Sequence, residues 1–187
     1  FFIRQQDTLV NEEIQLSEYD EMFKASALKR NWDWRFLASI AYQESRYNPN
    51  ARGFGGAYGM MQFMPNTGPS FDVYPDSPPE VQIDAGMRYI DMLYNSWRNI
   101  ESREQRLKFT LASYNAGKGH VEDAVRLAEK LGYNPAIWDE NVELMIRLLS
   151  DPMYYRNPPV KYGAYRGPAK TYVKSIYSRY MLWRENE

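Results

Sequence analysis

The sequence has no cysteine and a single histidine, and both shortages exclude chemistry. Without cysteine there is neither a disulfide framework nor a thiol nucleophile. The lone His120 rules out a histidine-rich metal site and argues against a Ser-His-Asp triad. Long apolar runs are also absent, so we expect no membrane-spanning helix, which needs about 18 or more consecutive apolar residues.

An excess of charge of either sign is missing too, since the formal net charge is −1 and Lys and Arg are scattered. A nucleic-acid surface needs a basic stripe that neutralises phosphates, so we expect no nucleic-acid partner. The length of 187 residues fits one domain with a buried core. The chain opens with Phe1-Phe2-Ile3 and not with Met, so we expect a processed or truncated product whose export signal is not seen.

Apolar residues follow helical spacing along the chain, and no alternating strand pattern of useful length appears. Caps, breakers and apolar stripes predict helices over 17–29, 33–47, 60–64, 78–97, 103–114, 121–132, 139–149 and 168–183. Ser77 and Glu80 fit a capping box at the start of the fourth helix, with Pro78 at its first position. Loops are expected over 51–59, 65–79 and 151–167, and the predicted fold class is all-α or α-dominant.

Glu44 places a carboxyl group beside the apolar face of the second helix. Four-residue spacing aligns it with Phe36 and Ile40, and it lies in the last turns before Pro49. Desolvation disfavours a carboxylate, and so does the negative end of a helix dipole. We therefore expect the pKa of Glu44 to exceed about 4.3, the usual value for glutamate. Such a shift suits a general acid near neutral pH.

Three short blocks and one late motif carry a family resemblance. They are Gln43-Glu44-Ser45, Gly59-Met60-Met61-Gln62, Ser113-Tyr114-Asn115-Ala116-Gly117 and Thr171-Tyr172-Val173. In this order and spacing they resemble the lytic transglycosylases, which share their domain type with goose-type lysozyme. The resemblance covers roughly residues 18–180. It implies a lysozyme-like, goose-type helical catalytic domain with functional loops over 17–187, preceded by an N-terminal lead-in over 1–16.

The resemblance implies a lyase that cleaves the MurNAc-β-1,4-GlcNAc bond of peptidoglycan without water. Glu44 is implied as the single acid and then base, and the product carries a 1,6-anhydroMurNAc end. A hydrolytic glycosidase normally needs two carboxylates, whereas the acidic residues after the second block lie in no recognisable motif. The implied partner is the glycan strand of peptidoglycan, and no cofactor or metal ion is implied.

The same resemblance assigns Tyr172 to hydrogen-bond Glu44 and orient it. Three other tyrosines lie close in sequence and stay open as alternatives: Tyr165, Tyr177 and Tyr180. Substrate contacts are expected from a further set drawn from the blocks and their immediate surroundings: Ser45, Tyr58, Gly59, Met60, Met61, Gln62, Tyr114 and Asn115.

Some of these residues have a second, structural interpretation. Met60 and Met61 are as well explained by the core, and Asn115 by a helix C-terminus in the left-handed conformation. Many members of the resembled family carry a serine nine residues after the glutamate, where this chain has Gly53. Tyr58 or backbone amides are then expected to replace that serine.

Residues 31–35 and 41–47 resemble the catalytic half of the membrane-bound lytic transglycosylase F subgroup, in which a solute-binding-type domain comes first. From this likeness we expect a missing N-terminal domain and membrane association outside this chain. The expected location is the periplasm or the periplasmic face of the outer membrane. Two alternatives stay open: a goose-type muramidase that hydrolyses the same bond, and a non-catalytic peptidoglycan-binding domain.

Overall fold

The computed structural model describes residues 15–185, and this part of the chain is built from helices. Its α-helices are α1 Asp20–Leu28, α2 Trp34–Ser45, α3 Pro79–Ser96, α4 Arg103–Ala116, α5 Lys118–Leu131, α6 Glu143–Leu148, α7 Pro152–Tyr155 and α8 Ala169–Glu185. Short 3₁₀ turns lie at Phe54–Gly56 and Gly68–Phe71, and a π-helical segment at Trp138–Val142. Within these residues the only strand-like pairing is isolated bridges, so the predicted α-dominant fold is confirmed.

Local sequence determines where α2 begins and ends. The Asp33 carboxylate accepts a hydrogen bond from the Arg35 amide at 3.1 Å and caps the helix, as predicted. The apolar face, which includes Phe36 and Ile40, is fully buried. Arg46 then adopts a left-handed φ of 55° that ends the helix. The residues between these two caps carry the predicted acid into the last turn of α2.

Helix α4 lies at the centre of the fold. Every residue from Leu107 to Ser113 is buried, so the helix has no solvent face over nearly two turns. It packs against α3, α5 and α8, while α2 packs against α1 and α8. The last turn of α4 then brings Tyr114 and Asn115 to the edge of the core, where both are partly exposed.

The loop over 51–63 is held by its own backbone and by α3. Tyr58 and Phe63 exchange two backbone hydrogen bonds of 3.0 and 2.9 Å. Gln82 on α3 is only 2% exposed, and its Oε1 accepts from the Met60 amide at 2.6 Å. The Nε2 group of the same side chain donates to two loop carbonyls, at 2.7 and 3.1 Å. One buried side-chain amide on α3 therefore binds the loop over 51–63 and two further carbonyls in the segments that precede the helix.

Two predicted helices differ from the structure. The helix expected over 60–64 is absent, because Gln62 has a positive φ of 49° and the segment forms turns. The helix expected over 139–149 does not run unbroken. Asp139 and Glu140 leave the helical conformation, and a π-helical segment therefore precedes α6.

The predicted capping box at the start of α3 is wrong. The Ser77 hydroxyl accepts from the Tyr74 amide at 2.9 Å, and Pro78 is the N-cap residue, one position later than predicted. No side chain caps this helix, so Glu80 has no capping role. The two longer predicted loops each contain a short helical turn, one of the 3₁₀ type and one that forms α7.

The expected lead-in over 1–16 lies almost wholly outside the described residues. The first described residues are fixed by Asp20, whose carboxylate accepts from the amides of Leu16 and Ser17 at 2.7 and 2.9 Å. None of the helices within residues 15–185 combines the length and the hydropathy that crossing a membrane requires.

Replacing Gln82 with Leu should lower the free energy of unfolding by about 2 kcal/mol or more, because the Met60 amide and two carbonyls lose their partner. Urea unfolding curves measure the difference. Met92→Ala on the exposed side of the same helix is the control, expected to stay within about 0.5–1 kcal/mol of wild type. Equal stability of Gln82→Leu and wild type would show that this amide does not hold the loops.

Candidate active site

Glu44 lies in the last turn of α2 and is partly buried. Burial raises the pKa of its carboxyl group from 4.5 to about 7, and a hydrogen bond from Tyr172 opposes part of that rise. No other carboxylate within residues 15–185 contributes to this pKa. The group is therefore about half protonated at neutral pH and can both donate and accept a proton there.

The Tyr172 hydroxyl donates a hydrogen bond to Glu44 Oε1. Tyr172 lies near the start of α8 and is 6% exposed, where α8 packs against α2 and α4. Burial and the charge of Glu44 raise the pKa of Tyr172, so its phenol stays protonated and remains a donor. The three tyrosines that the sequence left as alternatives make no hydrogen bond to Glu44 within the described chain.

Tyr114 lies beside the same carboxyl group. Its hydroxyl donates to the Met61 carbonyl at 2.6 Å, which joins the end of α4 to the second block. The pKa of Tyr114 is raised first by burial and then by the negative charge of Glu44. Its ring packs on Tyr89, with the ring centroids 5.2 Å apart. Tyr114 thus adds a neutral phenol to the surroundings of the acid.

Asn115 is oriented by a tyrosine. Tyr165 donates to Asn115 Oδ1 at 2.8 Å and accepts from the Ala169 amide at 3.0 Å. These two bonds fix the oxygen side of the Asn115 amide. The amide nitrogen of Asn115 makes no hydrogen bond within the part of the chain that the structure describes, so it can donate to a ligand.

Ser45 ties the first block to the second. Its hydroxyl donates to the Met60 carbonyl at 2.7 Å and accepts from the Asn48 amide at 3.1 Å. The hydroxyl is therefore engaged inside the protein, which gives Ser45 a structural role beside the expected substrate contact.

The apolar side chains of the second block lie beneath the site. Met60 and Met61 are 0% exposed, and Met61 packs so closely on α3 that a Cβ at Gly86 would lie 2.9 Å from it. Tyr58 is 4% exposed, and its hydroxyl donates to the Val73 carbonyl at 2.7 Å. Direct substrate contact by these three side chains, as expected from the sequence, does not fit their burial. Of the four residues of this block, only Gln62 is partly exposed.

Comparison with protein families identifies this arrangement. The transglycosylase SLT domain family matches residues 21–137, which is more than half of the chain. The chain belongs to the transglycosylase SLT domain family. Tyr172 and α8 lie beyond the matched residues, so the family match covers the acid and the first five α-helices but stops before the tyrosine that binds it.

Curated relatives of this SLT domain extend the likeness. The membrane-bound lytic murein transglycosylase F of Aeromonas salmonicida is 36% identical over 175 residues, covering 92% of this chain and 34% of the relative. The protein of the same name from Shewanella loihica is 39% identical over 158 residues, covering 83% of this chain and 33% of the relative. The chain therefore spans about a third of the length of these relatives.

Solved structures share the fold of this SLT domain. The 70-kDa soluble lytic transglycosylase of Escherichia coli superposes with a TM-score of 0.59 at 25% identity, over 89% of this chain and 24% of that one. An inactive mutant of lytic transglycosylase Slt from Pseudomonas aeruginosa gives a TM-score of 0.59 at 19% identity, over 90% and 24%. The expected lysozyme-like helical fold is thereby confirmed.

Gly53 and Gln62 share one small space in this SLT domain. The backbone of Gly53, with φ of −116°, is one that any residue adopts. A Cβ there would nevertheless lie 2.0 Å from Gln62 Oε1. Gln62 Nε2 in turn donates to the Gly59 carbonyl at 2.9 Å. The glycine at the usual serine position therefore makes room for the Gln62 carboxamide, and Tyr58 does not replace that serine.

Two supporting residues were missed by the sequence-based predictions. Gln82 sits four positions before Gly86 on the buried side of α3, and a buried polar side chain requires partners. A glutamine among the apolar positions of a predicted helix would have indicated that Gln82 binds neighbouring backbone groups. Tyr165 has no comparable signal, because it lies in an irregular segment and its contact with Asn115 spans 50 positions.

Gly53→Ala should displace the Gln62 carboxamide and leave the fold intact, because only the end of a flexible side chain is in the way. We expect the side-chain amide NMR signals of Gln62 to shift, with the free energy of unfolding changing by less than about 1 kcal/mol. Asn50→Ala, an exposed change in the same loop, is the control and should leave those signals in place. Unmoved Gln62 signals in Gly53→Ala would contradict the shared space.

The pKa of Glu44 predicts a pH-dependent difference in stability. Between pH 4.5 and about 7 the folded protein holds a proton that the unfolded chain has released, so raising the pH favours unfolding. Glu44→Gln lacks this titration. The free energy of unfolding of Glu44→Gln, relative to that of wild type, should rise by about 3 kcal/mol as the pH is raised from 4.5 to about 7, since one pKa unit is worth about 1.4 kcal/mol.

Chemical denaturation of both proteins at several pH values measures this difference. Tyr172→Phe is the informative companion, because losing the bond that lowers the pKa of Glu44 should extend the window to higher pH. A constant difference between wild type and Glu44→Gln from acid to neutral pH would show that burial does not shift this carboxyl group.

Proposed function

We propose that this chain is the catalytic part of a peptidoglycan lytic transglycosylase that cleaves the MurNAc-β-1,4-GlcNAc bond without hydrolysis. The observation that carries the proposal is a single partly buried carboxyl group, Glu44, with a pKa of about 7 and a phenol bonded to it. Membership of the SLT domain family and the names of the relatives support the same chemistry.

In the first step Glu44 donates its proton to the glycosidic oxygen. The bond between this oxygen and C1 of MurNAc breaks, the 4-hydroxyl of GlcNAc leaves, and positive charge develops at C1. The N-acetyl group of MurNAc helps to stabilise that charge. Tyr172 is a positioning residue, because its hydrogen bond orients the carboxyl group and stabilises the carboxylate that the proton leaves behind.

In the second step the Glu44 carboxylate removes the proton from the C6 hydroxyl of the same MurNAc. The oxygen at C6 bonds to C1, which yields the 1,6-anhydroMurNAc end and returns Glu44 to its protonated form. No water is consumed, so no second carboxylate is required to activate one. The pKa of Glu44, to which no other carboxylate in residues 15–185 contributes, is in keeping with this route.

We assign Asn115 and Gln62 to hold the glycan. Asn115 has a fixed oxygen and an amide nitrogen free to donate, while Gln62 is partly exposed beside Gly53. Side-chain amide groups suit the hydroxyl and acetamido groups of a saccharide.

The wider setting follows the relatives, which are named membrane-bound and are about three times as long as this chain. We accordingly propose that the protein acts on peptidoglycan glycan strands in the periplasm. A solute-binding-like N-terminal domain and attachment to the outer membrane, both outside this chain, belong to the same proposal.

Mass spectrometry of purified sacculi digested by this chain should show 1,6-anhydromuramic ends. Glu44→Gln should lower turnover by at least about 10²–10⁴-fold, the usual contribution of general acid–base catalysis, while remaining folded. Tyr172→Phe should lower kcat more than it raises KM, because only a hydroxyl group is removed.

Other products would change the assignment. Reducing muramic ends as the sole product would identify a goose-type muramidase, since water would then be the acceptor. Binding to sacculi without any product would indicate a non-catalytic peptidoglycan-binding domain. Near-normal turnover by Glu44→Gln would reject Glu44 as the acid.

A further inference from the structure

The segment that carries Tyr165 is irregular. Residues 156–168, between α7 and α8, contain no helix, and each of them is partly or fully exposed. Tyr165 nevertheless fixes the Asn115 carboxamide, which we assign to the glycan. Because no side chain of this segment is buried in the core, hydrogen bonds to neighbouring elements are the main contacts that hold it in place.

Asp123 on α5 supplies the strongest of these contacts. Its side chain is 0% exposed. Its Oδ1 accepts from the Lys161 amide at 2.7 Å, and its Oδ2 accepts from the Tyr162 amide at 2.7 Å. Arg126, one turn later on α5, also donates to Oδ1. A buried carboxylate requires such partners, and bonds to a charged acceptor are stronger than bonds between neutral groups. One carboxylate therefore fixes two consecutive amides of an exposed segment.

The first turns of α5 hold the same segment in two further ways. The Tyr162 ring lies against Gly119, where a Cβ would be 2.6 Å from Tyr162 Cδ1. Arg126 Nε donates to the Pro159 carbonyl at 3.2 Å. Gly119 and Asp123 are one helical turn apart, so the ring and the two amides bind to neighbouring positions on one face of α5.

The segment connects Asp123 to the proposed glycan site. Tyr165 follows Tyr162 by three residues, and its own amide donates to the Leu149 carbonyl at 3.0 Å. Its hydroxyl then reaches Asn115 in the last turn of α4. The segment thus spans the corner between α4 and α5, with its start on Asp123 and its end on Asn115. Because a hydrogen bond weakens steeply when it is misaligned, a shift of the segment would release the Asn115 carboxamide.

We propose that Asp123 is a positioning residue for the glycan site, which acts through Tyr165 on the orientation of the Asn115 carboxamide. The proposal rests on the proposed function, because Asn115 bears on turnover only if it holds the glycan. Asp123 is itself fully buried and has no contact with substrate. Its loss should therefore weaken glycan binding and leave proton transfer by Glu44 nearly unchanged.

Asp123→Asn keeps the shape of the side chain but replaces one acceptor oxygen with an N–H donor that faces other donors. The side-chain amide NMR signals of Asn115 should shift. On soluble peptidoglycan strands KM should rise about threefold to tenfold, the range that one ordinary hydrogen bond is worth, with kcat within about twofold of wild type. Asp151→Asn, the same change at the cap of α7, is the control and should alter neither signals nor KM, because asparagine caps equally well.

A double-variant cycle tests the route from Asp123 to Asn115. Tyr165→Phe removes the hydroxyl that binds Asn115, so it should produce a similar rise in KM and a shift of the same signals. In Asp123→Asn combined with Tyr165→Phe, KM should rise no further than in the more affected single variant, because both changes act on one amide. Effects on KM that multiply would show that Asp123 acts by another route and would overturn the proposal.

Gly119→Ala displaces the Tyr162 ring and leaves the buried carboxylate intact, so it tests the same relay without disturbing a buried charge. The Asn115 signals should again shift, in the direction seen in Tyr165→Phe. Unmoved Asn115 signals in this variant, or in folded Asp123→Asn, would overturn the positioning role. Absence of turnover by wild type would instead reject the proposed function, whereas the NMR signals would still decide whether Asp123 positions Asn115.

Discussion

One hydrogen bond joins the two ends of the domain at the proposed active site. Tyr172 on α8 donates to Glu44 on α2 across 128 positions of sequence. The contact requires α8 to pack on α2 and α4, so the site forms only when the helical core is assembled. The same pair sets the acidity: burial raises the pKa of Glu44, the phenol lowers it, and burial prevails. A solvated carboxyl group would have lost its proton, and a buried one without the phenol would release it less readily.

The groups around the Glu44 carboxyl are held in place by hydrogen bonds with neighbouring side chains. Ser45 and Gln82 bind the carbonyl and the amide of Met60 from two different helices, and Tyr165 fixes Asn115. Each of these polar side chains has its partners inside the protein, as buried polar groups require. The proposed saccharide surface therefore consists of side-chain amides on a hydrogen-bonded support, with methionine side chains filling the space below.

Much of the fold could be predicted from the sequence, because helix signals act over a few residues. The Asp33 cap and the apolar spacing that ends at Glu44 define α2, and the structure confirms both. Where several local signals competed, prediction failed. The serine at 77 bonds backwards to Tyr74 and does not cap α3, and the turn at Gln62 replaces a predicted short helix.

By itself the sequence determined the helical class, most helix positions and the ordered blocks that single out Glu44 as the candidate acid. Only the tertiary structure decided which tyrosine reaches that acid, since several lie within one segment and the choice depends on how α8 packs. It also decided that Met61 lies beneath the site and that Gln62 shares space with Gly53. These contacts join residues that are not neighbours within one helical turn, so local periodicity does not encode their geometry.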